Sequence, residues 1–133
     1  MVKLADIRER ASRERRGQWF NGETLADAPD ERDEDGAWYI CVAPSSEPGV
    51  RRVARELARE LAADGPLEDG ASKTLSYSAH IVDWQGIDDV DYSPMRAYRL
   101  LRDDFPEYEG EVLEMIVRAS TRAARSEAAS EGN

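Results

Sequence analysis

Hydrophobic positions along the chain change period several times, and each change marks an element. Val50, Val53, Ala54, Leu57, Ala58 and Leu61 recur at i, i+3, i+4 and i+7, which predicts an amphipathic helix over 46–63. Ser46 is its expected N-cap, Pro48 lies in its first turn, and Asp64-Gly65-Pro66 ends it. Leu4, Ile7 and Ala11 form a thinner stripe that predicts a short helix over 3–16, with Trp19 and Phe20 as its anchor. Residues 37–43, AWYICVA, are aromatic and β-branched between Gly36 and Pro44, and read as a strand. A strand needs a partner, and the 19–26 region is the available one, as a hairpin.

Residues 72–84, SKTLSYSAHIVDW, are apolar on two sides: Leu75, Ala79 and Val82 on one, Tyr77, Ile81 and Trp84 on the other. A helix apolar nearly all round is buried, so this stretch predicts the central helix. In 93–105, Ser93 and Pro94 form a start signal, Met95, Tyr98, Leu101 and Phe105 share a face, and Pro106 stops the helix. A last helix over 107–128 has Val112, Leu113, Ile116, Val117 and Ser120 as its expected buried stripe. Its acidic first turns and basic later turns suit the helix dipole. The fold class expected is mainly α (α+β): a small domain of about four to five helices with one short β element near residues 37–43. The division expected is a basic helical segment at 1–20, an acidic linker at 21–36, a single helical domain at 37–128 and a frayed tail at 129–133.

Charge sharpens this picture. The 133-residue chain has net charge −10, with +3 in residues 1–20, −6 in 21–36 and −7 in the rest. Such a surface disfavours nucleic acid, except at the basic segment around Arg13, Arg15 and Arg16. Sixteen arginines against two lysines, with abundant acids, fit a GC-rich genome or a halophilic cytoplasm. No apolar run reaches the roughly 18 residues of a membrane span, and the N-terminus has no secretory apolar core, so a cytoplasmic location is expected. The single Cys41 excludes an internal disulfide.

Chemistry has little to build on. His80 is the one histidine, too few for a zinc or iron site, and no phosphate-binding glycine loop or nucleophile motif occurs. The acidic cluster Asp88-Asp89-Val90-Asp91 can be tested against a calcium loop. Starting from Asp89, Asp91 and Ser93 fit, but Pro94 stands where the glycine belongs and Leu100 where the bidentate glutamate belongs. The aspartates then read as a solvated turn before a helix. No catalytic residue, metal or cofactor is expected, and an enzyme is the class least supported.

The stretch 83–101, DWQGIDDVDYSPMRAYRLL, is more informative as a pattern. An aliphatic Ile81-Val82 leads to Trp84 and Gly86; the acidic turn with Asp88 and Asp89 follows, then Tyr92-Ser93-Pro94, then a helix with Leu100-Leu101. Upstream, Gly36-Ala37-Trp38 opens the strand. Over 34–119 the chain resembles the tail assembly chaperones of siphovirus-type tailed phages and their archaeal counterparts. It departs from them in lacking a glycine in the acidic turn and a second basic, β-branched N-terminal strand. The resemblance makes Trp38, Trp84, Gly86, Asp88, Asp89, Tyr92, Ser93, Pro94, Leu100 and Leu101 family-marker positions. It implies a binding protein of the host cytoplasm that coats the tape-measure protein and helps recruit tail-tube subunits, with no membrane partner. Homo-oligomers are compatible with it. Other classes are a structural virion component, such as a head–tail connector or tail completion protein, and a small regulatory nucleic-acid-associated protein using residues 8–16.

Overall fold

The computed structural model describes the backbone of residues 17–28, 37–87 and 90–131, and side chains as far as residue 126. The helix expected at 3–16, the acidic run at 29–36, and Asp88 and Asp89 lie outside the described residues.

Three short strands form one antiparallel sheet in chain order: β1 Gln18–Asn21, β2 Tyr39–Val42 and β3 Ile81–Gln85. β1 and β2 pair with Trp19 opposite Cys41 and Phe20 opposite Ile40, so the hairpin partner expected from 19–26 is present. β2 and β3 pair with Ile40 opposite Trp84, and a bulge between Cys41 and Val42 brings Val42 opposite Ile81. Four α-helices complete the described fold: α1 Gly49–Ala62, α2 Ala71–His80, α3 Pro94–Arg99 and α4 Glu109–Glu131. The protein is a small, mainly α domain of the α+β class. Its β part is a three-stranded sheet with the strand expected near 37–43 at its centre. Residues 18–28 belong to that sheet and its turn, and α4 extends to Glu131, part-way into the segment expected to fray.

The region 72–84 divides where continuous helix was expected. α2 stops at His80, Ile81 turns to extended backbone (φ −79°, ψ 114°), and the chain enters β3 with no breaker residue. The β-branched pair Ile81-Val82 suits a strand, and the ladder to β2 satisfies the backbone; the amide of Ala43 donates to the carbonyl of His80 at 2.7 Å. Trp84 therefore lies within a strand, where a helix end was expected.

Strand alternation separates the core into two clusters. Phe20, Ile40, Val42, Ile81 and Trp84 pack with Leu101, Tyr108, Val112, Met115, Ile116 and Ala119. Cys41, Ala43 and Val82 pack with Val50, Val53 and Leu57 of α1, Leu75 and Ala79 of α2, and Tyr98 of α3. Cys41 is the small buried hydrophobe its surroundings suggest.

Three local expectations change. α1 begins at Gly49, with Pro48 in the cap position and no side-chain cap, so Ser46 is not the N-cap. α3 starts as expected: the Ser93 hydroxyl accepts from the Arg96 amide at 3.1 Å and Pro94 is at N1. The helix then widens into a π turn, Leu100–Asp104, in which the Phe105 amide donates to the Leu100 carbonyl at 2.7 Å. The extra residue rotates Phe105 off the buried face and leaves it 49% exposed. From Tyr108, in the turn leading into α4, the buried stripe continues along the helix through Val112, Met115, Ile116 and Ala119, whereas Leu113 and Val117 are exposed. The spacing from Tyr108 through Ala119 is a continuous helical face, and choosing it turns Leu113 and Val117 outward.

Candidate functional site

Two connections and one helix start meet at one end of the sheet. The turn after β1 supplies Gly22 and Glu23, the approach to β2 supplies Trp38, and the exit from β3 supplies Gly86 and Ile87. The far wall is Leu100 and Phe105 of the π turn with Tyr108 and Glu111 at the start of α4. Together they line an open cleft of about 580 Å³.

Local chemistry holds this arrangement. The Asn21 side chain accepts from the amides of Glu23 and Thr24 at 2.9 and 3.0 Å, which shapes the turn, and the Gly22 amide donates to the Trp38 carbonyl at 2.9 Å. Gly86 has φ +84°, and a Cβ there would stand 2.7 Å from the Ala37 carbonyl oxygen. Only glycine lets the strand exit pass so close to the Trp38 backbone. The Trp38 and Tyr108 rings lie 5.3 Å apart at 47°, and Phe105 meets Tyr108 edge-on at 5.5 Å.

The polar groups of the cleft are few. The Tyr108 hydroxyl donates to the Gly22 carbonyl at 2.7 Å. Burial, and then the negative charge of Glu111, push the phenol well above its ordinary value, so it stays protonated and serves as a donor. Oε2 of Glu111 is buried and has no hydrogen-bond partner among the described residues. Glu23, exposed at the rim, adds a second carboxylate. The cleft thus offers a wall of three mutually tilted aromatic rings and an acidic edge. It can seat an apolar side chain and, beside it, a cationic or hydrogen-bond-donating group.

The marker positions divide between this cleft and its support. Trp38, Gly86 and Leu100 line it. Trp84, Tyr92, Ser93, Pro94 and Leu101 hold β3, Val90 and the start of α3 in place. The Trp84 indole donates to the Val90 carbonyl at 2.8 Å, Tyr92 meets its ring edge-on at 5.5 Å, and the Tyr92 hydroxyl donates to the Ile81 carbonyl at 2.6 Å. Leu101 is fully buried. Sequence reasoning did not single out Gly22, Tyr108 or Glu111 for the cleft; the one available signal was the aromatic pair flanking Pro106-Glu107.

His80 stands apart from the cleft. Its Nδ1 is 2.7 Å from the Ser76 carbonyl and so carries the proton in the neutral ring, while burial lowers the pKa. Among the described residues no group of three or more His, Cys, Asp or Glu side chains could hold a metal ion. Among the same residues no helix is long and apolar enough to cross a membrane. The chain matches no protein-family model, no curated protein and no solved structure with which it was compared.

Proposed function

We propose that this chain is a non-enzymatic binding protein of the tail assembly chaperone kind, acting in the host cytoplasm. In this reading it binds helical segments of a tape-measure protein, keeps them soluble, and helps recruit tail-tube subunits. The observation that carries the reading is the cleft: an exposed Phe105 and a partly buried Trp38 stand beside the unpartnered Glu111 carboxylate oxygen. A partner helix would place an apolar side chain between the rings and a neighbouring Lys or Arg against Glu111 and Glu23. The net charge of −10 would keep such a complex dispersed. The resemblance over 83–101 supplies the class of partner, and the markers Trp38, Gly86 and Leu100 line this cleft.

Co-expression with a tape-measure protein from the same genome tests the proposal. The wild-type chain should keep the tape-measure protein in the supernatant, and Phe105→Ala with Glu111→Lys should release it to the pellet. A tape-measure protein that stays insoluble beside the wild-type chain overturns the proposal. Finding the chain in purified particles would favour a structural virion component instead.

A further inference from the structure

α4 carries an apolar strip that no described part of the fold covers. Leu113 is 43% exposed and Val117 55% exposed, and the exposed Gly110 and Ala124 continue the line at helical spacing. A helix with one buried face and a second apolar line has a further surface to cover.

The charges beside the strip show what fits it. Along one edge run Glu107, in the turn leading into α4, then Glu114, Arg118 and Arg125. Each acid is seven residues from the other acid, and each base seven from the other base, so all four stay near the same edge of the helix. Glu107, Glu114 and Arg125 are exposed and make no ion pair among the described residues. Arg118 is already held by the Leu25 carbonyl and by Asp27 at 3.1 Å, with donors to spare.

We propose that two copies of the chain pair through this strip, α4 against α4, antiparallel about a two-fold axis level with Ile116. In that arrangement each edge faces the same edge of the other copy, running in the opposite direction. Residues equidistant from 116 are then opposite. Glu114 faces Arg118 of the second copy, and the same register sets Glu107 against Arg125. The two-fold repeats both pairs, giving four cross-pairs from one register. A parallel pairing would turn this edge toward the opposite edge of the second copy, which carries Glu109, Ile116 and Ser120, and would leave its acids and bases without these cross-pairs. The charge sequence of the edge is therefore self-complementary in one direction only, and Leu113 and Val117 of both copies fill the seam.

Sedimentation equilibrium on the full chain tests this, with circular dichroism to verify folding of each variant. The wild type should be a dimer and Val117→Asp a folded monomer. Glu107→Arg or Arg125→Glu alone should weaken the dimer about tenfold, and the two together should restore it. Cysteine cross-linking reads the register, because Cys41 is buried. In Val117→Cys the two sulfurs sit about 3 Å apart along the axis, and in Ala124→Cys about 24 Å apart. The first variant should form a disulfide-linked dimer under mild oxidation and the second should not. A monomeric wild type overturns the proposal, as does a dimer indifferent to Val117→Asp. No rescue by the double charge reversal, or equal cross-linking of the two cysteine variants, overturns the antiparallel register.

Discussion

The hydroxyl of Tyr108 donates a 2.7 Å hydrogen bond to the carbonyl of Gly22 and so ties the start of α4 to the turn after β1. The bond spans 86 residues of sequence and is buried, so removing the donor leaves a carbonyl without its partner. Tyr108→Phe should keep the ring contacts with Trp38 and Phe105 and cost about 1–3 kcal/mol, read from urea unfolding at neutral pH. The phenol also sets a direction with pH. Its folded pKa is raised above the ordinary 10.0, so the folded state holds a proton that the unfolded state gives up. That contribution is complete below pH 10.0 and is lost as pH rises above it. The wild type should therefore lose stability above that pH more steeply than Tyr108→Phe.

Gly86 is the second position where the cleft depends on a single atom. Any side chain there must adopt φ +84° and place its Cβ 2.7 Å from the Ala37 carbonyl oxygen. The left-handed backbone alone costs roughly 1–2 kcal/mol, and the close approach adds to it. Gly86→Ala should lower stability by about 2 kcal/mol or more in thermal or urea unfolding. A change below the error of measurement would show that the strand exit can move away from the Trp38 backbone.

The π turn and the shifted face of α4 show which parts of this fold were readable in advance. The start of α3 was readable because a Ser-Pro cap is a local device, and the Ser93 hydroxyl does accept from Arg96. The 37–43 strand was readable because composition and turn residues agreed. The switch from α2 to β3 was not, because Ile81 and Trp84 fit a helical stripe as well as a strand, and pairing with β2 decided between them. The cleft was hidden for the same reason. Phe105 leaves the buried face only because the helix widens at Leu100–Asp104, a feature with no sequence pattern of its own. Tyr108 and Glu111 come near Gly22 through tertiary packing alone.

Met115 and Val117 give a direct measure of that shift. Met115 is fully buried, whereas Val117, placed by periodicity in the buried stripe, is 55% exposed. Met115→Ala should cost about 2–5 kcal/mol, since it removes packed atoms and leaves a cavity. Val117→Ala should change monomer stability by less than about 0.5 kcal/mol, with unfolding followed at low protein concentration. Equal losses would mean that both residues face the core.

His80 gives the domain a response in mildly acidic solution. Its ring is taken partly out of water, and that burial lowers the pKa from the ordinary 6.5 against the raising effect of the Ser76 carbonyl. The unfolded chain therefore binds a proton at His80 at a pH where the folded chain does not. The sign follows: the contribution is present above pH 6.5 and is lost as pH falls below it, through the folded pKa. His80→Gln keeps a side chain able to donate a hydrogen bond but cannot take up the proton. Stability measured by urea unfolding between about pH 7 and pH 5 should fall more for the wild type than for this variant. Parallel pH profiles would show that the ring reaches water as freely in the folded domain as in the unfolded chain.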